Sequence, residues 1–218
     1  MPNWLIVAII VLGAYFVGNI SFARIISRKK NQDVTKLGSG NPGSTNMLRN
    51  FGFKIGFLTF ICDVLKGVLP ALVVRIVLPE SPVLLYLAGL CTIIGHIYPI
   101  LYKFKGGKGI ATMVGFFLVA NPIFSFGVVL VAMVSWLIFK YGSMASFICV
   151  TAMTVVQGVW AKSTLELNES KWVCLILYCI FLLTWWAHRQ NIQRLLIGKE
   201  SKVSLIKSTK KKVKEQSR

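Results

Sequence analysis

Acidic side chains are scarce in this sequence, seven in 218 residues against 25 lysines and arginines, and charged residues of both signs make up only 15% of it. With 55% of its residues apolar, the chain has too little polar material to coat a soluble domain, which excludes an ordinary one- or two-domain globular protein. Histidine occurs twice, at His96 and His188, and the five cysteines (Cys62, Cys91, Cys149, Cys174 and Cys179) lie inside apolar runs without CxxC spacing. That leaves no ligand set for zinc and no redox pair. The cysteines read as small buried hydrophobes, and no metal or cofactor is expected. A basic n-region and a small-residue cleavage site are also missing around the first apolar run, so it reads as a permanent helix, not a signal peptide.

What the sequence has instead is apolar runs, at residues 4–26, 53–78, 83–101, 106–120, 123–139, 143–160 and 172–187. Most approach the ~20 residues that cross a hydrocarbon core, so the expected fold is all-α, a polytopic membrane bundle of about seven transmembrane helices. The fourth run is short; it is either completed by residues 103–105 or only half-buried. Pro122 separates it from the fifth, since proline cannot continue the helical ladder and displaces the residue before it.

The net charge of +18 is distributed unevenly. Residues 24–54 hold seven basic side chains against Asp33, residues 103–108 hold three, Lys140 stands in the fifth-to-sixth turn, and the tail from His188 holds ten against Glu200 and Glu215. The other connections balance Arg75, Lys162 and Lys171 against Glu80, Glu166 and Glu169, and Asp63 and Lys66 lie inside the second run. The whole excess therefore falls on alternate connections. By the positive-inside rule these face the cytoplasm, which places the N-terminus outside and the C-terminus inside; seven spans satisfy that parity, and six or eight do not. The same distribution argues against nucleic acid as a partner. Residues 1–200 are expected to form one membrane-embedded domain, and residues 201–218 a disordered basic tail near anionic headgroups.

Three polar constellations interrupt the apolar pattern. The first, LGSGNPGSTNMLRNFG at 37–52, crowds Ser39, Gly40, Asn41, Ser44, Thr45 and Asn46 together ahead of Arg49. Small residues let backbone N–H groups turn inward, and such a nest beside hydroxyls and a guanidinium suits an oxyanion, phosphate above all; the plain alternative is a Gly/Ser/Asn connector. Gly38, Gly40 and Gly43 also spell GxGxxG, but without a preceding strand and βαβ unit the dinucleotide reading fails. The second, Lys105-Gly106-Gly107-Lys108-Gly109, combines two ammonium groups, glycine backbone and a helix start. It lacks the Ser or Thr of a Walker loop, and a positive-inside turn explains its lysines but not its glycines. The third, His188, Asn191 and Arg194, has i, i+3, i+6 spacing that brings imidazole, amide and guanidinium near one face; the alternative for His188 is an interfacial residue past the Trp185–Trp186 belt. Ser143 and Ser146 add small polar groups at the same predicted face. Asp63 and Lys66, at i, i+3, are expected to pair, either for function or for helix packing, and His96 is ambiguous in the same way.

Taken together, GSGNPGSTN with Arg49, GHIYPILYKFKGGKGIAT and HRQNIQRLLIGKE resemble the three motifs of the bacterial acyl-phosphate:glycerol-3-phosphate acyltransferases, integral membrane enzymes of phospholipid synthesis. The resemblance runs from about residue 18 to 200 in order and spacing. Ser44 stands where alanine is usual and Ile110 where valine is usual, both conservative, and the tail lies beyond it. It implies a multi-pass protein of the bacterial cytoplasmic membrane, with its site on the cytoplasmic face. The partners it implies are glycerol 3-phosphate, fatty acyl phosphate and membrane lipids, and the products are 1-acylglycerol 3-phosphate and phosphate. Ser39, Gly40, Asn41, Asn46, Arg49, Lys105, Gly106, Gly107, Ser143 and Ser146 are the expected phosphate-binding set, with Lys108, His188 and Asn191 expected at the chemistry. His188 and Asn191 would position the glycerol, and the base would be His188 or the substrate's own phosphate, with the resemblance favouring the latter.

No serine or cysteine nucleophile with an adjacent base is present, and neither His96 nor His188 is followed by aspartate at the spacing other glycerophosphate acyltransferases use. Acyl phosphate needs neither, being a mixed anhydride with a good leaving group. No cytosolic segment is large enough to offer an obvious coenzyme A site. A transporter or channel for an organophosphate is the rival reading; it predicts ionisable or broken-helix features near the bilayer midplane, whereas the three motifs share one face.

Overall fold

A computed structural model describes residues 4–202, so the predicted character of the tail lies almost wholly outside the described residues. These residues form α-helices joined by short turns, with no strand among them. In chain order the helices are α1 (Trp4–Asn19), α2 (Phe22–Arg28), α3 (Ser44–Phe51), α4 (Phe53–Val77), α5 (Pro82–Ile97), α6 (Ile110–Ala120), α7 (Pro122–Phe139), α8 (Gly142–Thr164), α9 (Leu167–Ala187) and α10 (Arg189–Leu196). Among the described residues, six segments are long and apolar enough to cross a membrane: Trp4–Arg28, Phe53–Val77, Pro82–Tyr102, Pro122–Phe139, Gly142–Thr164 and Leu167–Ala187.

The fourth apolar run becomes α6, whose 11 residues span only ~16 Å. It is not extended by residues 103–105, because Lys103 and Phe104 take positive φ and turn the chain instead. Its brevity is compatible with its place in the bundle: Met113, Phe116 and Phe117 are wholly buried, so protein rather than lipid surrounds most of it. Gly67 and Gly115 bring α4 and α6 together so closely that a Cβ on either would lie 2.0 Å from a carbonyl oxygen, of Thr112 and Val64 respectively. α1 and α5 meet in the same way through Gly18 and Gly95, the small-residue contact typical of membrane helices.

The first apolar run is broken where the sequence suggests continuity. Between α1 and α2 the ladder is interrupted at Ile20–Ser21, and the carbonyl of Ile20 accepts a hydrogen bond from Lys66 Nζ at 2.8 Å. Lys66 also stands 2.9 Å from Asp63, and both side chains are buried, so the expected intramembrane pair is formed. Deeper in the bundle, Tyr86 donates to Gln157 (2.7 Å), Gln157 to Ser125 (3.3 Å) and Ser125 to the carbonyl of Phe117 (2.8 Å), which satisfies polar groups that hydrocarbon would penalise. Large apolar side chains on the outside, such as Ile123, Phe126, Leu137 and Ile138 of α7, form the surface expected toward lipid. The helix pairs α4–α5, α6–α7 and α8–α9 each return the chain to one end of the bundle, where all three constellations gather.

Candidate active site

At that end a pocket is lined by Ser39, Asn41, Thr45, Asn46 and Arg49 from the first constellation, Lys108 from the second, and His188, Asn191 and Arg194 from the third. Gly142, Ser143 and Ser146 at the start of α8, and Glu200 after α10, complete the wall.

The first constellation is a loop folded around one side chain. Asn46 is buried; its amide donates to the carbonyls of Val34 (3.2 Å) and Leu37 (3.0 Å), and its oxygen accepts from the N–H of Ser39 (3.1 Å). A side chain at Gly38, whose φ is +55°, would lie 2.5 Å from the Asn46 oxygen, so glycine is required there. The result presents Ser39 and Asn41 to the pocket above the start of α3, while Gly40, also at positive φ, shapes the turn without lining the pocket. Arg49, in the last turn of α3, donates to the carbonyl of Ser201 at 2.8 Å, and its buried Nε has no hydrogen-bond partner among the described residues.

The second constellation is divided. Lys108 reaches the pocket and donates to Asn191 Oδ1. Lys105 is exposed, and its carbonyl accepts from Arg24 at 2.7 Å. Gly106 and Gly107 do not line the pocket: their N–H groups donate to the carbonyls of Ile97 (3.1 Å) and His96 (3.0 Å), so these amides are not free for an anion. What they provide is closeness, since a Cβ on Gly107 would lie 2.1 Å from His96 Nε2.

The third constellation is held by buried partners. His188 caps α9, and its Nδ1 lies 2.8 Å from the carbonyl of Thr184; a carbonyl only accepts, so Nδ1 carries the proton and Nε2 the lone pair. Burial first, and the ammonium of Lys108 second, push the His188 pKa down to about 4, so the ring is neutral near neutral pH. Gly198, at positive φ, ends α10 and turns the chain back so that Glu200 accepts from Asn191 (3.0 Å), Ser143 (3.2 Å) and Arg194 (2.8 Å). Burial alone would raise the Glu200 pKa; those hydrogen bonds outweigh it and hold the carboxyl below its usual range. Lys108 is pushed down to about 8, by burial first and then by Arg194 and Arg49 against the opposing pull of Glu200.

Thr45, Gly142, Arg194 and Glu200 line the pocket beyond the residues expected there. Thr45 and Arg194 belong to the first and third constellations and carry that signal. Glu200 closes the HRQNIQRLLIGKE motif, two residues after the helix-ending glycine, and is not among the expected site residues. Nothing at Gly142 distinguishes it from any other helix start.

The arrangement sets three cations, two of them with lowered pKa, around hydroxyls, amides and a neutral imidazole, which is chemistry suited to a phosphorylated substrate with a hydroxyl to orient. A family model described as glycerol-3-phosphate acyltransferase matches residues 8–198. The glycerol-3-phosphate acyltransferase of Mycoplasmopsis pulmonis is 38% identical, the match covering 96% of this chain and all of that protein. Among solved structures, an integral membrane glycerol 3-phosphate acyltransferase in its glycerol 3-phosphate form superposes with TM-score 0.84 at 33% identity, covering 92% of this chain and 97% of that one. The lysophosphatidic acid form gives 0.78 at 34%, covering 92% and 96%. With the family model and a full-length relative agreeing with the fold, the chain belongs to the integral membrane glycerol-3-phosphate acyltransferase family.

Proposed function

We propose that this acyltransferase takes its acyl group from a fatty acyl phosphate and transfers it to the sn-1 hydroxyl of glycerol 3-phosphate, at a pocket that opens to the cytoplasm. The observation that carries this reading is the convergence of Arg49, Lys108 and Arg194, from three segments far apart in sequence, beside the buried Ser143, His188 and Asn191. Both substrates bring a phosphate to one place, and a cation-rich pocket at the end of an apolar bundle serves two phosphates and a lipid tail together. The glycerol 3-phosphate and lysophosphatidic acid forms of the solved relative are consistent with that assignment. The basic connections that gather at the pocket end support a cytoplasmic orientation, with the N-terminus outside.

In the reaction, the glycerol hydroxyl oxygen attacks the acyl carbonyl carbon and forms the ester. The acyl–phosphate bond breaks, and inorganic phosphate departs with the electron pair. Lys108 and Arg49 neutralise the charge that gathers on the leaving phosphate, Arg49 through its unpartnered Nε. Ser39 and Ser143 hold the substrate phosphates. His188 accepts the glycerol hydroxyl at Nε2 and, with Asn191, aims it. At a pKa of about 4 His188 is a poor proton acceptor at neutral pH. The phosphate monoester of the substrate, with a second pKa of about 6, is the better base and takes the hydroxyl proton. Purified protein given a synthetic acyl phosphate should release one phosphate per 1-acylglycerol 3-phosphate, only when glycerol 3-phosphate is present. Comparable product from acyl-CoA, or product without phosphate release, would rule out this donor.

A further inference from the structure

The mechanism leaves unused a buried polar cluster on the membrane side of the pocket. Asp63 and Lys66 of α4, His96 at the end of α5 and Thr112 in the first turn of α6 are all buried. Lys66 is tied to Asp63 and to the carbonyl of Ile20 at the break between α1 and α2. The Asp63 Oδ1 atom that meets Lys66 makes no well-aligned hydrogen bond, and His96 Nδ1 stands 3.8 Å from it. The same ring nitrogen is 3.3 Å from the hydroxyl of Thr112. One edge of the imidazole therefore contacts Thr112 of α6 and faces Asp63 of α4 across 3.8 Å. The other edge lies against the backbone of Gly107, where a Cβ would come within 2.1 Å of Nε2, and the His96 carbonyl accepts the Gly107 N–H at 3.0 Å. The next residue along the chain is Lys108, whose ammonium enters the pocket.

We propose that His96, held by Thr112 and faced by Asp63 of the buried ion pair on one edge and pressed against Gly107 on the other, is the positioning residue that sets where Lys108 enters the phosphate pocket. This gives the intramembrane ion pair a use beyond helix packing. Its Lys66 anchors the helix break, its Asp63 faces the ring, and the ring carries their placement to the backbone one residue from the ammonium. The glycines at 106 and 107 follow from the same contact, because any side chain at either would push the turn off His96. The role in substrate binding rests on the proposed reaction; the placement of Lys108 does not.

The test separates the two. In the purified full-length protein, the apparent pKa of Lys108 is read from its acetylation rate against pH by mass spectrometry, with Lys105 of the same molecule as the control, and the affinity for glycerol 3-phosphate is read by calorimetry. The starting value for Lys108 is expected near 8. Thr112→Val, which keeps the shape and removes the hydroxyl, should raise it by about one unit or more, leave Lys105 unmoved and weaken glycerol 3-phosphate about tenfold, while Thr112→Ser keeps both properties. His96→Gln is the second variant and should act in the same direction. An unchanged Lys108 in folded Thr112→Val and His96→Gln protein overturns the inference. If neither variant folds, the cluster is packing alone and the inference fails. A shifted Lys108 in a protein that never binds glycerol 3-phosphate overturns the proposed reaction and leaves the positioning role standing.

Discussion

The bundle carries a polar pocket at each end, and the two are built differently. The one away from the candidate site is bordered by Arg75, Glu80, Glu166 and Glu169 with Trp160 and Leu165, from the α4–α5 and α8–α9 connections. Arg75, Glu80 and Glu166 are exposed, and acidic groups outnumber the single cation. The candidate site draws on segments from residue 39 to residue 200, buries Ser143, His188 and Asn191, and has cations in excess. A polar hollow at a membrane surface is thus not by itself a site. What distinguishes the second is convergence of buried, hydrogen-bonded groups from distant parts of the chain, whose desolvation alters their proton affinities.

The largest effect that sharpens this contrast is in the cations. Lys108→Ala or Arg49→Ala should lower turnover with acyl phosphate by ~100-fold or more, because charge that develops on the leaving phosphate loses its partner, and Arg49→Lys should restore little. Arg75→Ala at the other end should stay within about twofold, as surface charges contribute little. Equal losses at both ends, measured as kcat/KM, would erase the distinction. Next in size, His188→Gln should lower kcat roughly tenfold to a hundredfold by misaiming the glycerol hydroxyl. Since His188 is already neutral well above its pKa of about 4, the shape of the pH profile near neutrality should be preserved.

The pH dependence then tests Lys108. In the proposed reaction its protonated form binds phosphate, so with a pKa of about 8 in the free protein kcat/KM should hold from about pH 6, below which the substrate's phosphate base is protonated, up to about pH 8, and decline above it. Lys108→Arg should abolish that alkaline limb whatever its effect on rate; a limb that persists belongs to another group. The smallest expected effect is from the tail. Deleting residues 203–218 should leave activity in detergent within about twofold, whereas a cut that removes Ser201 should cost more, because its carbonyl accepts from Arg49.

Apolar run length and charge placement made the bundle legible in the sequence, and Ser39, Arg49, Lys108, His188 and Asn191 stood out because glycine, charge and imidazole are rare amid apolar runs. The break at Ile20–Ser21 was hidden because neither residue is a helix breaker; it is stabilised by Lys66, a partner 46 positions away. Gly106 and Gly107 read as amide donors, yet their use is steric and depends on where His96 falls in the fold. Glu200 closes the third motif, yet the sequence shows it only as one acid among basic residues; the turn at Gly198 is what brings it back to Asn191 and Arg194. Local pattern predicts which groups are unusual; tertiary contact decides which of them share a pocket.

Sidedness of turnover is the most direct test that the basic end is the working end. Glycerol 3-phosphate is charged and does not cross a sealed bilayer unaided, so it reports which end of the bundle it reaches. With acyl phosphate supplied in the membrane, sealed inside-out vesicles should release phosphate when glycerol 3-phosphate is added outside, and right-side-out vesicles should do so only after they are opened. Turnover in sealed right-side-out vesicles, undiminished relative to opened ones, would place the active pocket at the other end and contradict the account.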